Sequence, residues 1–308
     1  MEKTSKIYVA GHNGMVGSAI VRELKKQGYN NIIIKSRKDL DLINQDAVNA
    51  FFEKENPEYI FLAAARVGGI GANSTYPADF LYENMMIEMN VINSAFKNNC
   101  KKLEFLGSSC IYPKFAEQPI TEDSLLTGSL EPTNEAYALA KISGLRYCQY
   151  LNKQYGTNYI SVMPTNLYGP NDNYDSVNSH VLPAMIKKFH DAKENNFSAV
   201  TCWGDGTALR EFLYVDDLAD LCVFLMNNYN EQDPVNAGSG EEISIKDLAE
   251  LVASIVGYKG EILWDATKPN GTPRKLLDLS KSLDMGWKYK TPLIDGIKMT
   301  YEDFRGVI

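Results

Sequence analysis

The 308 residues are 44% hydrophobic and 23% charged, enough to bury a full core and close to the upper limit of what one core serves, so two lobes are expected. A formal charge of -8 removes any general electrostatic reason to bind nucleic acid or an anionic membrane, though a local basic pocket can still hold a nucleotide. No apolar run approaches the roughly eighteen residues of a membrane span, and the five cysteines are scattered without C-x-x-C spacing, suggesting neither a disulfide framework nor a zinc site.

In chain order, "MEKTSK" leads straight into a short β run, "KIYVA" (6–10), rather than a signal-peptide core, so a cytoplasmic location is expected. Helical apolar spacing over 15–27 stops at Gly28, and "NIIIKSR" (31–37) is a second β run. "AVNAFFEKEN" reads as a helix ended by Pro57, "YIFLAAA" (59–65) as a third strand and 80–98 as a long helix. The strand "LEFLGSS", a helix over 134–155 and the strand "YISVMPTNLYG" (159–169) follow. This alternation predicts an α/β fold, a Rossmann-type doubly wound parallel sheet over 1–169 that binds a dinucleotide.

After Pro170 the rhythm changes. "NDNYDSVNS" is a polar, turn-rich stretch before a helix over 181–194 and the strand "AVTCWG". In "REFLYVDDLADLCVFLMNN", Asp216 can cap a helix running to Asn228, and a strand and helix from about 210–229 are expected to complete the first domain. "SIKDLAELVASIV" (244–256) is an amphipathic helix with Ser244 as N-cap and Asp247 completing an approximate capping box. With the closing helix "LIDGIKMTYEDF", 170–308 is predicted to be mainly a smaller, mixed C-terminal substrate lobe, the substrate lying between the lobes.

"AGHNGMVGSAI" places Gly11, Gly14 and Gly17 after a strand and at the opening of a helix. Glycines there allow a tight turn and bring backbone and helix N-terminus up to a pyrophosphate. Where an NAD site carries a carboxylate for the ribose, "KSRKDL" offers Ser36, Arg37 and Lys38, which suit the 2′-phosphate of NADP; the other reading is a solvated turn. "NEAYALAKISG" sets Tyr137 and Lys141 four residues apart, on one helical face. A tyrosine can protonate a developing alkoxide if a neighbouring cation lowers its pKa by about three units, which Lys141 is placed to do. Y-x-x-x-K alone is common; its order after a glycine turn and a strand-end serine, Ser108, gives it meaning.

At these residues the sequence resembles the extended short-chain dehydrogenase/reductase family over essentially its whole length. "GSSCIYP", "LEPTNEAYALAK", "SVMPTNLYGPNDN", "NSHVLPA" and "KPNGTPRKLLD" are similar to the branch that epimerises GDP-4-keto-6-deoxy-D-mannose at C3 and C5 and reduces C4 with NADPH. The resemblance implies that Ser108 binds the substrate oxygen beside Tyr137 and Lys141, and that Cys110 and His180 move the protons at C3 and C5. From the residues alone, Cys110 is first a small buried hydrophobe and His180 a structural hydrogen-bonder. His12 and His190 read as a turn residue and a solvated helix residue.

The same resemblance implies NADP(H) contacts from Gly11, His12, Asn13, Gly14, Met15, Val16 and Gly17, and from Arg37, Lys38, Asp39, Leu40, Asp41 and Leu42. It adds Leu106, Gly107, Ser108, Ser109, Lys141, Pro164, Thr165, Asn166, Leu167 and His180. Lys188, Trp203, Arg210 and Asn270 would meet the GDP-sugar, although Trp203 is otherwise most simply a core aromatic and Lys188 a helix-face charge. Asn13 stands where the family often carries an arginine for the 2′-phosphate, and Asn270 where it often carries an aspartate. A homodimer through the helices over 80–98 and 134–155 is implied, and no metal. Competing expectations are a 4-epimerase or 4,6-dehydratase on the same fold, or a non-catalytic dinucleotide sensor. A dehydratase would carry an acid near "SSC", and a sensor has no need of Tyr137.

Overall fold

The computed structural model describes residues 1–175, 179–268 and 270–307, so 176–178 of the polar stretch and 269 of "KPNGTPRKLLD" lie outside the described residues. The first half runs β1 (Ile7–Ala10), α1 (Met15–Lys26), β2 (Ile32–Ile33), α2 (Gln45–Glu55), β3 (Tyr59–Leu62), α3 (Ile70–Thr75), α4 (Pro77–Lys97), β4 (Lys102–Leu106), α5 (Glu135–Tyr155) and β5 (Tyr159–Pro164). Then come β6 (Asn166–Tyr168), α6 (Val181–Glu194), β7 (Ala199–Trp203), β8 (Leu209–Tyr214), α7 (Val215–Asn228), β9 (Val235–Ala237) and β10 (Glu242–Ser244). The chain closes with α8 (Ile245–Val256), β11 (Glu261–Asp265), β12 (Arg274–Lys275), α9 (Ser280–Asp284) and α10 (Leu293–Val307).

Among the described residues the first sheet is parallel and six-stranded, in the order β2-β1-β3-β4-β5-β9. Its strands β1, β4, β5 and β9 are fully buried, as runs such as "KLEFL" and "YISVMP" require when helices cover both faces, while the edge strand β2 is only partly covered. Leu24 of α1 and Leu218, Leu221 and Leu225 of α7 pack on one face; Phe52 of α2, Ile92 of α4 and Leu145 of α5 pack on the other. Strand order reverses between β1 and β3, which opens a crevice at their carboxyl ends, the usual ligand position of such sheets.

Several boundaries differ from the sequence reading. The single strand expected over 159–169 divides at Thr165: β5 stays in the first sheet, while β6 pairs with β8 in a second sheet that also holds β10 and β12. Thr165 Oγ1 and Asn166 Nδ2 both donate to the Glu211 carbonyl, at 3.2 and 2.8 Å, and so hold the crossing strand to the new sheet. The strand expected near 210 is therefore in the second sheet, and β9 supplies the sixth strand of the first; α7 does pack on the first sheet. Asp216 is not the cap of α7. That position is Tyr214, and Asp216 lies in the first turn, paired with Arg22. Ser244 caps α8 by accepting from the Asp247 amide at 3.0 Å, but its hydroxyl, not its amide, meets the Asp247 carboxylate. His190 is packed rather than solvated, Nδ1 lying 3.0 Å from the Tyr301 hydroxyl and the ring edge-on to Phe304.

Glu211 holds the second sheet together. Its fully buried carboxylate accepts from the amides of Gly240 at 2.7 Å and Leu277 at 3.1 Å. Glu211→Ala leaves both amides without an acceptor and should destabilise the protein by about 2–4 kcal/mol, measured by urea unfolding.

Candidate active site

The cleft at the β1/β3 switch point encloses about 780 Å³, within the range of roughly 300–1,000 Å³ typical of small-ligand sites. Gly11 ends β1 with φ +88°, and a Cβ there would lie 2.7 Å from the Ala64 amide nitrogen. A Cβ on Gly17 would lie 2.2 Å from the Gly11 carbonyl oxygen, so the turn and helix close only on hydrogen. Gly14 begins α1 without a side-chain cap, leaving the first amides of the helix for an anion. His12 Nδ1 is buried in this turn with no hydrogen-bond partner. Open amides and a cradle too tight for a Cβ fit a dinucleotide pyrophosphate.

The far wall is set by Asn84 of α4, whose Oδ1 accepts from the Arg66 amide at 2.8 Å and whose Nδ2 donates to the Arg66 carbonyl at 3.0 Å, fixing the loop after β3. At the ribose end Arg37 lines the cleft, loosely tethered with Nη2 3.9 Å from Glu83 Oε2; so exposed a pair is worth little, and the guanidinium is available to a phosphate. Lys35, not singled out from sequence, lines the cleft with Leu40, Asp41 and Leu42, whereas Lys38 and Asp39 are exposed outside its wall.

The reacting groups gather where β4 ends. Ser108 leaves the strand and caps a short 3₁₀ turn, Ser109–Ile111, its Oγ accepting from the Cys110 amide at 3.2 Å. The Tyr137 phenol lines the cleft beside it, and the serine hydroxyl is the one neighbour that pulls the phenol's pKa down. One turn along α5, Lys141 is buried, donating to the Leu106 carbonyl at 2.9 Å and pairing with Glu88 Oε1 of α4 at 3.0 Å. Burial, then the neighbouring Cys110 and Glu88, push the Tyr137 pKa upward, opposite to the lowering expected from Lys141. The ammonium is turned to Glu88 and Leu106, and sits 5.8 Å from the centre of the tyrosine ring. Tyr137 is therefore fully protonated at neutral pH, the form that donates. Burial also pushes Glu88 up to about 7, against the opposing pull of Lys141.

Cys110 is half-buried. Its sulfur accepts from Asn134 Nδ2 at 3.2 Å, and Lys275 Nζ of β12 stands 3.7 Å away. His180 opens α6 with an exposed surface on the cleft; crowding by the surrounding protein, then the Lys275 charge, hold its imidazole below the ordinary range. Arg210 lines the cleft and donates through Nη2 to the Asn270 carbonyl at 3.1 Å. Asn270 itself lies outside the cleft wall, its Oδ1 accepting from the Asp205 amide at 3.0 Å. Lys188 donates to the Thr201 carbonyl at 3.0 Å, outside the same wall. Trp203 is not a core aromatic: it is 55% exposed on β7, with Lys268 5.6 Å from its ring. Of Lys188, Trp203 and Asn270, only Asn270 is tied to a cleft residue, through Arg210.

Glu88, Asn134 and Lys275 were missed by sequence reasoning. Glu88 had a signal: it falls on the buried face of α4 with Phe80 and Asn84, at i, i+4 spacing, where a lone carboxylate demands a partner. Lys275 had none, being brought in from 165 residues away. Among the described residues no three His, Cys, Asp or Glu side chains group as metal ligands would, and no helix is long and apolar enough to cross a membrane.

A profile of the NAD dependent epimerase/dehydratase family matches residues 7–238. The chain is 59% identical to the putative GDP-L-fucose synthase 2 of Arabidopsis thaliana, over 98% of its own length and 92% of the relative's. It is 49% identical to the GDP-L-fucose synthase of Escherichia coli K12, covering 97% and 96%. A GDP-mannoheptose C4 reductase from Campylobacter jejuni, solved with NADP bound, superposes with a TM-score of 0.92 at 43% identity, covering 99% of both chains.

Gly17→Ala should weaken NADPH binding at least about tenfold, read by titration of cofactor fluorescence. Glu88 gives a pH signature. A carboxyl whose folded pKa, about 7, lies above its ordinary 4.5 contributes stability while protonated, fully below about pH 4.5, and loses it as pH rises through 7. From pH 5 to 8 the wild type should therefore lose about 2 kcal/mol relative to Glu88→Gln, measured by denaturant unfolding across that range.

Proposed function

The chain belongs to the NAD dependent epimerase/dehydratase family, and from that premise we propose that it converts GDP-4-keto-6-deoxy-D-mannose to GDP-L-fucose by inverting C3 and C5 and then reducing the C4 ketone. The observation that carries the reading is the meeting at Ser108 of a proton donor for the C4 oxygen, Tyr137, with a thiol two residues further on, Cys110. A plain C4 reductase needs the first and not the second.

C3 and C5 flank the ketone, so their hydrogens are removable if the resulting enolate oxygen is held. Ser108 and Tyr137 supply the donors, as in other oxyanion sites. Cys110 and His180 work at the adjacent carbons as base and acid on opposite faces. For reduction the same Tyr137 hydroxyl gives its proton to the C4 oxygen, while Lys141 holds the tyrosine's helix against β4. NADPH, when bound, supplies the hydride. The open amides of Met15 to Gly17 and the Arg37 guanidinium would hold its phosphates, and Arg210 the diphosphate of the sugar nucleotide. The first-sheet lobe is the cofactor lobe and the second-sheet lobe the substrate lobe.

A homodimer belongs to the same reading. Tyr82 of α4 and Leu139, Tyr150 and Tyr155 of α5 are 42–61% exposed on the helices expected to pair, a larger apolar display than single scattered residues. A cytoplasmic location is supported by five cysteines that are all free thiols. Light scattering should give a mass twice the 34.5 kDa of the chain; a monomer mass would remove the dimer.

The decisive experiment supplies the substrate and NADPH in deuterated water. Cofactor oxidation should be accompanied by deuterium at C3 and C5; oxidation without label would mean a C4 reductase, and no turnover would favour a sensor. Tyr137→Phe should lower reduction by about 10²–10⁴-fold, and Cys110→Ser should lower labelling by a similar factor while sparing reduction of a ketone that needs no inversion.

A further inference from the structure

Among the described residues two side chains hydrogen-bond the Cys110 sulfur, and neither comes from the strand that leads to it. Asn134, at the start of α5, donates Nδ2–H at 3.2 Å, and Lys275 on β12 brings its ammonium to 3.7 Å. An ammonium has no lone pair and the amide nitrogen is a donor, so the sulfur accepts in both contacts, an arrangement that favours the thiolate over the thiol. Lys275 stands in register with Arg210 on β8, so two cations share the face of the second sheet that looks into the cleft. Among the described residues Lys275 makes no ion pair with a carboxylate, which leaves its charge to the sulfur.

We propose that Lys275 is a positioning residue of the epimerisation, holding Cys110 as the thiolate and so making it the base that takes the first α-proton. This rests on the function proposed above. In the step the C–H bond breaks, its electron pair enters the enolate whose oxygen Ser108 and Tyr137 hold, and the proton forms an S–H bond at Cys110. The carbon is reprotonated from the opposite, His180 side, and both groups exchange with solvent between turnovers. The titratable and charged groups around the sulfur are Lys275, Arg210, Tyr137, His180 and Glu131, the last paired with Lys114 at 3.0 Å. Only Lys275 among these, within the described residues, brings a positive atom against the sulfur. The proposal also explains why the cysteine of this motif is useful where serine would not be: a nearby cation moves a thiol near pKa 8.5 into the working range, and an alcohol stays far above it.

The test reads the thiol directly. Cys100, Cys148, Cys202 and Cys222 are at most 9% exposed, so iodoacetamide on the native full-length protein should alkylate Cys110, with the modified peptide identified by mass spectrometry and Cys110→Ser as control. Removing the cation in Lys275→Met should raise the pH midpoint of Cys110 alkylation by about one pH unit or more relative to wild type. Lys275→Arg should keep the wild-type midpoint, and Lys275→Gln should behave as Lys275→Met, so no single variant's folding decides the result; retained NADPH binding shows each is folded. The pH midpoint of deuterium entry at C3 and C5 should move with the alkylation midpoint. Identical alkylation midpoints in wild type, Lys275→Met and Lys275→Gln would overturn the proposal. Shifted midpoints with no C3 or C5 exchange by the wild type would sustain the role of Lys275 on the thiol and sink the epimerase reading instead.

Discussion

One buried ammonium orders the centre of this molecule. Lys141 is 2% exposed, and a charge so placed is costly unless its hydrogen bonds and counter-charge are supplied. The Leu106 carbonyl at the end of β4 and the Glu88 carboxylate of α4 supply them. Three elements are thereby fixed to one atom: the strand that ends in Ser108, the helix that carries Tyr137 one turn before Lys141, and the helix whose Asn84 holds the opposite wall of the cleft. The phenol meets the serine because the ammonium leaves α5 no other seat.

That constraint also sets the electrostatics. Glu88 absorbs much of the lysine's charge, and the tyrosine remains a proton donor rather than a phenolate. The thiol beside it lies in a different field, made by cations from the second sheet. The first sheet thus presents a neutral phenol and a thiol side by side, and the second sheet brings positive charge to the thiol alone. The link between lobes is the strand that crosses at Thr165, tied to the backbone of Glu211, whose carboxylate in turn holds the chain just after β12 and Lys275.

Where the sequence reading went astray, a tertiary partner had outweighed a local preference. "YISVMPTNLYG" is uninterrupted β pattern, yet it serves two sheets because Glu211 captures Thr165 and Asn166. Asp216 has capping chemistry, but Arg22 on α1 takes its carboxylate. His190 sits among lysines in the sequence and against Tyr301 and Phe304 in space. The three-residue β9 is too short to announce itself by periodicity, although it completes the first sheet.

The sequence by itself determined the parallel sheet, the glycine turn after its first strand and the residue spacings that bring Ser108, Cys110, Tyr137 and Lys141 into one cleft. Each depends on short-range geometry: apolar runs of strand length, glycines where a Cβ would collide, a tyrosine and lysine four residues apart, and a cysteine two residues past a serine. Only the tertiary structure decided which charged groups stand against those residues. Glu88, Lys275 and Arg210 act through space on atoms far away in the chain, and the strength of such fields follows from distance and burial, which no spacing in the sequence encodes.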